Sequence, residues 1–388
     1  MNVFEMNFAQ LNKEKKLVLV KHCSSPWQRE FLQNLAQGRQ VVDLADPLTR
    51  EQATNYTGEF LQSLNKPTLL YNLQLLPELV NVIAGEQSSG VNNCLAVLEQ
   101  SSAVEERLAD VAQAAIVDLP LRPLDESEFE PEAAWQEPVK QANVLGSIVE
   151  GSLFGQAGTS DRQPFYSQYL RSMVKERIME QTTVSDDLKF YRFLCMAANM
   201  TGTIVNYSRL AASAGITPPT AKQWLQFLAG SGLIYLLPAV EELAGKRLIK
   251  APKLYFRDTG VAAHLLHLEG GQALLGSIYA KNLLDNYVVN AIRERFLQGC
   301  ALPPMLFYKD SNYKEIQLLW ARKGVLHPLN IYKDGFSLWK VRKDFALLEG
   351  YAAERGLTIG AGAVVGLGQG TEPGPLGNAL YYITAESL

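Results

Sequence analysis

Short apolar runs of strand length alternate with segments of helical period over residues 17–121. Leu17 to Val20, QVVDLAD (40–46), PTLLYNL (67–73), CLAVLE (94–99) and AAIVDLPL (114–121) are the apolar runs. GEFLQSL (58–64) and PELVNVIAGE (77–86) carry helical spacing between them. VKHCSSPWQREFL (20–32) leads from the first run through a turn into a helix whose apolar residues are Phe31, Leu32 and Leu35. Such alternation predicts a mostly parallel sheet with helices on its faces. Six carboxylates then fall between Asp125 and Glu137, with Pro131 among them and Pro123 and Pro138 on either side, which predicts an exposed connector.

The middle reads as helical. SQYLRSMVKERIMEQ (167–181) and LKFYRFLCMAANMTG (188–202) have apolar residues at helical spacing. A short helix ends near Gly215, Thr217 stands where an N-cap belongs, and the prolines that follow suit a first turn. The next helix runs to about Ala229, with Ala221, Trp224, Leu225 and Leu228 on one buried face. Gly230 and Gly232 stop it, and LIYLL and KAPKLYFRD read as two strands, the order of parts in a winged helix-turn-helix. The remainder predicts α-β-β-β-α-β. A helix near 277–297 carries Leu284, Tyr287, Val288, Ala291, Ile292 and Phe296 as its stripe. Strands follow at 305–310, 314–321 and 325–333, then a helix over about 341–355, a strand TIGAGAVVGL and a last strand ALYYIT. The glycines between Gly360 and Gly377 lack a phosphate-binding spacing and suit a strand plus loop.

The chain has 388 residues, too many for one ordinary core, with 47% apolar and 20% charged residues, so several packed domains are expected. A net charge of −4 gives no global field toward nucleic acid or anionic membrane. Cys23, Cys94, Cys195 and Cys300 lie far apart without a CxxC pair, which argues against a zinc site or disulfide framework and for free thiols in a reducing compartment. No run reaches the ~18 apolar residues of a membrane span, and the N-terminus lacks a signal-peptide pattern. The expected location is the cytoplasm. His264 and His267 lie at i, i+3 without ligand partners nearby in sequence, and are expected to be partly buried imidazoles. KER (175–177) reads as a solvated helix face.

NYSRLAASAGITPPTAKQWLQFLAGSGLIYLLPAV…GKRLIKAPKLYFRDTGVAAHLL is similar to a helix pair "Y-s-x-L-A…G-i-s-x-x-T-a-K-x-W-l" followed by "K-x-P-K-x-Y-F-x-D-T-G". That pattern belongs to prokaryotic AAA-type P-loop ATPases with a C-terminal domain of unknown function related to PD-(D/E)xK nucleases. VDLADPLTR, LQLLPEL and LLDNYVV add weaker support. The resemblance implies an α/β multi-domain chain. Its parts would be a P-loop NTPase-like parallel sheet (1–124), an acidic connector and helical segment (125–187), a winged helix domain (188–268) and a restriction-endonuclease-like α/β domain (269–388).

Each family site is altered at the residues that carry its chemistry. A P-loop, G-x-x-x-x-G-K-[ST], wraps phosphates with backbone N–H groups, meets them with its lysine and holds Mg²⁺ with its hydroxyl. Laid on this sequence without gaps, it puts His22 and Trp27 at the glycines, Gln28 at the lysine and Arg29 at the Ser/Thr. An indole there is expected to plug the phosphate position. Lys21, Ser24, Ser25, Gln28 and Arg29 are the remnant phosphate-loop residues. In the second nucleotide motif the family's "L-x-D-E-I-Q-x-x-P-E-L" becomes L-L-Y-N-L-Q-L-L-P-E-L, with Tyr71 and Asn72 for the Asp-Glu pair. Neither supplies a carboxylate ligand or base at neutral pH. RLADVAQAAIVDL also lacks the arginine of the family's "L-A-G-R" stretch. The nuclease-like site would need carboxylates and a lysine converging on Mg²⁺. Its positions fall on Asp285, Gln317 and Asn330, with Tyr332 at the lysine, Glu315 two residues from Gln317 on the same strand face and Lys333 one residue out of register.

The expectation is therefore a pseudoenzyme without catalytic residues, metal or cofactor, binding a protein partner or itself. Weak nucleic-acid contact through Lys222, Gln223, Gln226, Lys246 and Arg247, with Arg209 on the preceding helix and Lys250 near the wing, would add to that. The rival is an ATP-binding protein or ATPase with a non-standard phosphate loop using Lys21 or Arg29, with ATP and Mg²⁺ as its ligands, in association with DNA.

Overall fold

The computed structural model describes residues 2–22, 25–64, 66–85, 94–98, 114–124, 144–156, 160–173, 187–240, 248–300, 302–312, 314–367, 374–377 and 380–385. The acidic connector (125–143), KER (175–177), Cys23, Ser24, Lys246, Arg247 and residues 107–113 lie outside them. The chain forms two compact units. One comprises Met1–Phe129, Gln226–Leu233 and Phe296–Ala301; the other comprises Glu130–Leu225, Ile234–Arg295 and Leu302–Leu388.

The first unit is a five-stranded, wholly parallel sheet. Its strands are β1 (Leu17–Lys21), β2 (Gln40–Asp43), β3 (Thr68–Tyr71), β4 (Cys94–Leu98) and β5 (Ala114–Asp118), in the order β2-β3-β4-β1-β5. Leu17 and Leu19 pack into the cluster on one face, Val18 and Val20 into the cluster on the other. Two-sided burial is why β1 reads as an unbroken apolar run. Helices α1 (Val3–Glu14), α2 (Pro26–Ala36), α3 (Pro47–Asn55), α4 (Thr57–Ser63) and α5 (Leu79–Ala84) belong to the same unit. α1 was not foreseen. A capping box between Asn2 and Glu5 starts it, and Phe4 and Phe8 are buried against the sheet cluster.

In the second unit, helices α6 (Val144–Gly155), α7 (Arg162–Ser172), α8 (Asp187–Asn199), α9 (Tyr207–Ala214) and α10 (Pro218–Gly230) precede the antiparallel pair β6 (Ile234–Leu237) and β7 (Lys253–Phe256). The last turns of α10 belong to the first unit. Asn206 caps α9, which ends on Gly215 at φ +65°. The Thr217 hydroxyl accepts from the N–H of Thr220, as expected of an N-cap. Ala221, Trp224, Leu225 and Leu228 are buried, and Trp224 meets Phe190 and Phe193 of α8 edge-on. Short helices α11 (Thr259–Leu265) and α12 (Gly271–Leu275) follow, then α13 (Ala280–Gln298). α13 is buried beyond its expected stripe, at Leu283, Asp285, Asn286 and Val289 as well. The Asn286 side chain accepts from Phe256 N at 3.0 Å and donates to Phe256 O at 2.7 Å, so a polar residue is buried fully paired.

The C-terminal sheet runs β13 (Gly374–Gly377), β14 (Leu380–Thr384), β12 (Gly362–Gly366), β10 (Val325–Tyr332), β9 (Glu315–Arg322), β8 (Met305–Lys309), with β11 (Thr358–Ile359) also on β10. β8, β9 and β10 are antiparallel neighbours, whereas β10, β12 and β14 are parallel. The expected helix over 341–355 is two, α14 (Leu338–Phe345) and α15 (Leu348–Glu354). The expected strand 358–367 is broken between β11 and β12. Gly360 sits at that break because a Cβ there would meet the His327 ring at 2.7 Å.

Candidate functional site

The connection after β1 leads toward the β2 edge of the sheet, and that after β4 crosses to β5. Ligands of open α/β sheets enter at the carboxyl ends of such diverging neighbours. The turn between β1 and α2 lies there. A helix N-terminus binds anions when its first N–H groups are unsatisfied. In α2, Pro26 at the first position has no N–H, and the N–H of Gln28 is taken by the Ser25 hydroxyl at 3.1 Å. The Gln28 carbonyl oxygen accepts from Ser25 N at 3.0 Å, closing a capping box.

Gln28, which the resemblance sets at the lysine position, is fully buried. Its amide donates to Leu119 O at 3.0 Å and Pro120 O at 2.9 Å, just beyond β5. Ser25, also fully buried, donates to Leu121 O at 2.9 Å. The helix start is thus stitched to the chain after β5 by neutral hydrogen bonds. The indole is not what seals it. Trp27 stacks on Phe31 at 5.1 Å and meets Phe4 edge-on at 5.6 Å, in the aromatic cluster beneath α1. Its size is spent on packing. Lys21 is half-buried and Arg29 exposed. Sequence reasoning named Gln28 as a remnant phosphate-loop residue and missed its role as a cap. The signal was S-x-x-Q after a strand, a capping box.

At the end of β3, Tyr71 packs on the same aromatic cluster, and burial with nearby Asp43 raises its phenol above the ordinary range. Asn72 takes left-handed backbone at φ +61° and donates to Asp43 at 2.8 Å. Asp43 also accepts from Ala45 N at 2.8 Å, so its carboxylate holds a turn.

In the second unit, Asp285 and Glu315 lie within electrostatic reach of each other and of Lys253, and Gln317 meets Asn330. Asp285 on α13 is buried, with one carboxylate oxygen 2.7 Å from Lys281 and the other without a hydrogen-bond partner among the described residues. Burial raises its pKa, and the cations Lys281 and Lys253 oppose that without cancelling it. Glu315 lies between Lys253, which is buried, and Lys309 at 2.7 Å. Burial pushes its carboxyl up, but the two ammonium groups win and hold it at about 2. Asn330 accepts from Gln317 N and Gln317 accepts from Ile331 N, both at 3.3 Å, so the two amides tie β9 to β10. Lys333 faces Asp334 at 3.8 Å. The cation in contact with Glu315 deep in the fold is thus the ammonium of Lys253, which sequence reasoning did not single out. Its position within the K-x-P-K-x-Y-F run was the available signal. Among the described residues no group of three or more His, Cys, Asp or Glu is placed to hold a metal ion.

Lys222, Gln223 and Gln226 are exposed on α10, with Arg209 exposed on α9. The Tyr-Phe-x-Asp-Thr-Gly run has structural work. Asp258 caps α11, accepting from Val261 N at 2.9 Å, Leu153 N at 2.9 Å and the Tyr166 hydroxyl at 2.8 Å. α6 breaks at Gly151, φ +74°, and a Cβ there would strike Asp258. His264 is buried with its Nε2 3.4 Å from the Ser167 hydroxyl, and His267 is exposed. Cys94, Cys195 and Cys300 are free thiols. No helix among the described residues is long and apolar enough to cross a membrane.

A family model described as a domain of unknown function (DUF8612) matches residues 154–272, the span that contains Tyr166, the helix pair and Asp258. No curated protein matches the chain.

Proposed function

We propose that this chain is a non-catalytic relative of AAA-type P-loop ATPases that acts as a binding or scaffold protein, for a protein partner or a second copy. In this reading the parallel sheet of the first unit is the ATPase-like domain, α9, α10, β6 and β7 form a winged helix, and α13 with the C-terminal sheet is the nuclease-like domain. The observation that carries the proposal is Gln28: fully buried at the lysine position, it spends its amide on Leu119 O and Pro120 O. A phosphate entering the turn would have to compete with those bonds and would meet a neutral amide at the position where the family has its lysine.

Thermal denaturation with and without Mg-ATP tests this. A ligand that binds only the folded state stabilises it by RT ln(1 + [L]/Kd), about 4 kcal/mol for millimolar ATP at micromolar affinity. The expected outcome is no shift. A shift of that size, abolished by Arg29→Ala, would establish the rival, nucleotide binding through a non-standard loop.

A further inference from the structure

A cavity of about 500 Å³ opens in the second unit between α14 and α15 on one side and β10, β11, β12 and β14 on the other. That is the size of a small-molecule site. Its walls include Phe345, Leu357, Ile359 and Leu380. Ile359 is exposed and Phe345 and Leu357 only half-buried, so the wall keeps apolar surface uncovered. Two opposite charges share this lining. Arg342 comes from α14 and Glu349 from α15. The Arg342 guanidinium is anchored by a 2.7 Å bond from one nitrogen to Leu376 O, which leaves its other donors for a ligand. Among the described residues, Arg342 and Glu349 form no ion pair with each other or with a third group.

A basic and an acidic residue that line one cavity together with apolar side chains, without pairing with each other, complement a molecule bearing both charges on an apolar body. We propose that this cavity binds a small apolar zwitterion, a hydrophobic amino acid or a short apolar peptide with free ends. Arg342 receives the carboxylate, Glu349 the ammonium, and Phe345, Leu357, Ile359 and Leu380 receive the side chain. This site is independent of the phosphate-loop reading, since every residue in it lies between Pro328 and Leu380, in the C-terminal part of the second unit.

Calorimetric titration of the full chain with phenylalanine, leucine, tryptophan and the dipeptide Leu-Phe tests the proposal and separates free amino acid from peptide. Saturable binding of at least one is expected. For the probe that binds, N-acetylation or amidation of its carboxylate weakens binding by about tenfold or more, as loss of a charge-assisted bond does. Glu349→Gln weakens the free zwitterion but leaves the N-acetyl form unchanged. Arg342→Gln weakens the free zwitterion but leaves the carboxamide unchanged. Glu349 is exposed, so its variant folds, and a far-ultraviolet circular dichroism spectrum confirms that for both. Absence of binding by all four probes, or blocked forms that bind as well as the free one, would overturn the assignment.

Discussion

Glu315 is held by two ammonium groups of unequal burial, Lys253 with 2% of its side chain exposed and Lys309 with 22%. Removing one member of a buried pair strands the other charge, whereas removing one of two cations leaves the anion a partner. Glu315→Gln is therefore expected to cost about 3–5 kcal/mol, and Lys253→Met markedly less because Lys309 remains. The pH dependence has a defined sign. Glu315 titrates at about 2 when folded, below its ordinary 4.5, so its contribution is full above about pH 4.5 and is lost as pH falls toward 2. Asp285 is shifted the other way: burial raises it, so its contribution is full below its ordinary 3.8 and is lost as pH rises through the folded value. Urea denaturation between pH 7 and about 2.5 reads both effects. The acid-side loss should vanish in Glu315→Gln, and Asp285→Asn should hold or raise stability at neutral pH. An unchanged acid limb in Glu315→Gln would remove Glu315 as its source.

At the scale of elements, the Asp258 cap shows why some of this fold was legible and some was not. Gly260 opens α11, and a Cβ on it would strike the Tyr166 hydroxyl and come within 2.5 Å of Glu150 O. A backbone oxygen that already accepts from the Tyr166 hydroxyl at 2.6 Å has little room to yield, so Gly260→Ala is expected to cost about 1–3 kcal/mol or more. Gly58 in α4 has open space around it, and Gly58→Ala is expected to gain about 0.4–1 kcal/mol. Opposite shifts in melting temperature check the pair, and equal shifts would refute the steric account. The sequence disclosed elements whose pattern is local: β1 through its apolar run, α10 through the spacing of Ala221, Trp224, Leu225 and Leu228. It hid α1, α6, α11 and α12, which are short or held by distant partners such as Tyr166 and Asp258. It also hid the division of 341–355 into α14 and α15, where no proline or glycine marks the turn. The residues assigned to a remnant phosphate loop were named by register with the family pattern alone. What Gln28 does there depends on Leu119 and Pro120, some 90 residues away, and no local pattern carries that.

At the scale of the whole molecule, charge limits what the winged-helix reading can mean. The chain carries 36 basic and 40 acidic residues, and the outward face of α10 offers one cation, Lys222, with Arg209 nearby on α9. Affinity for duplex DNA falls with salt at a logarithmic slope of about 0.9 per phosphate neutralised, so two contacts give a slope of about 2. Ten contacts would give a slope of about 9 and micromolar or tighter non-specific binding. Under the scaffold proposal, retention on duplex DNA between 50 and 200 mM salt should therefore be weak and change by only about tenfold. Lys222→Ala should lower the slope by about 1 without altering sequence preference. Fluorescence anisotropy with a labelled duplex supplies the measurement. A slope of 6 or more would mean that the described cations on α9 and α10 are a minor part of a larger basic surface. Nucleic acid, not a protein or a second copy of the chain, would then be the principal partner.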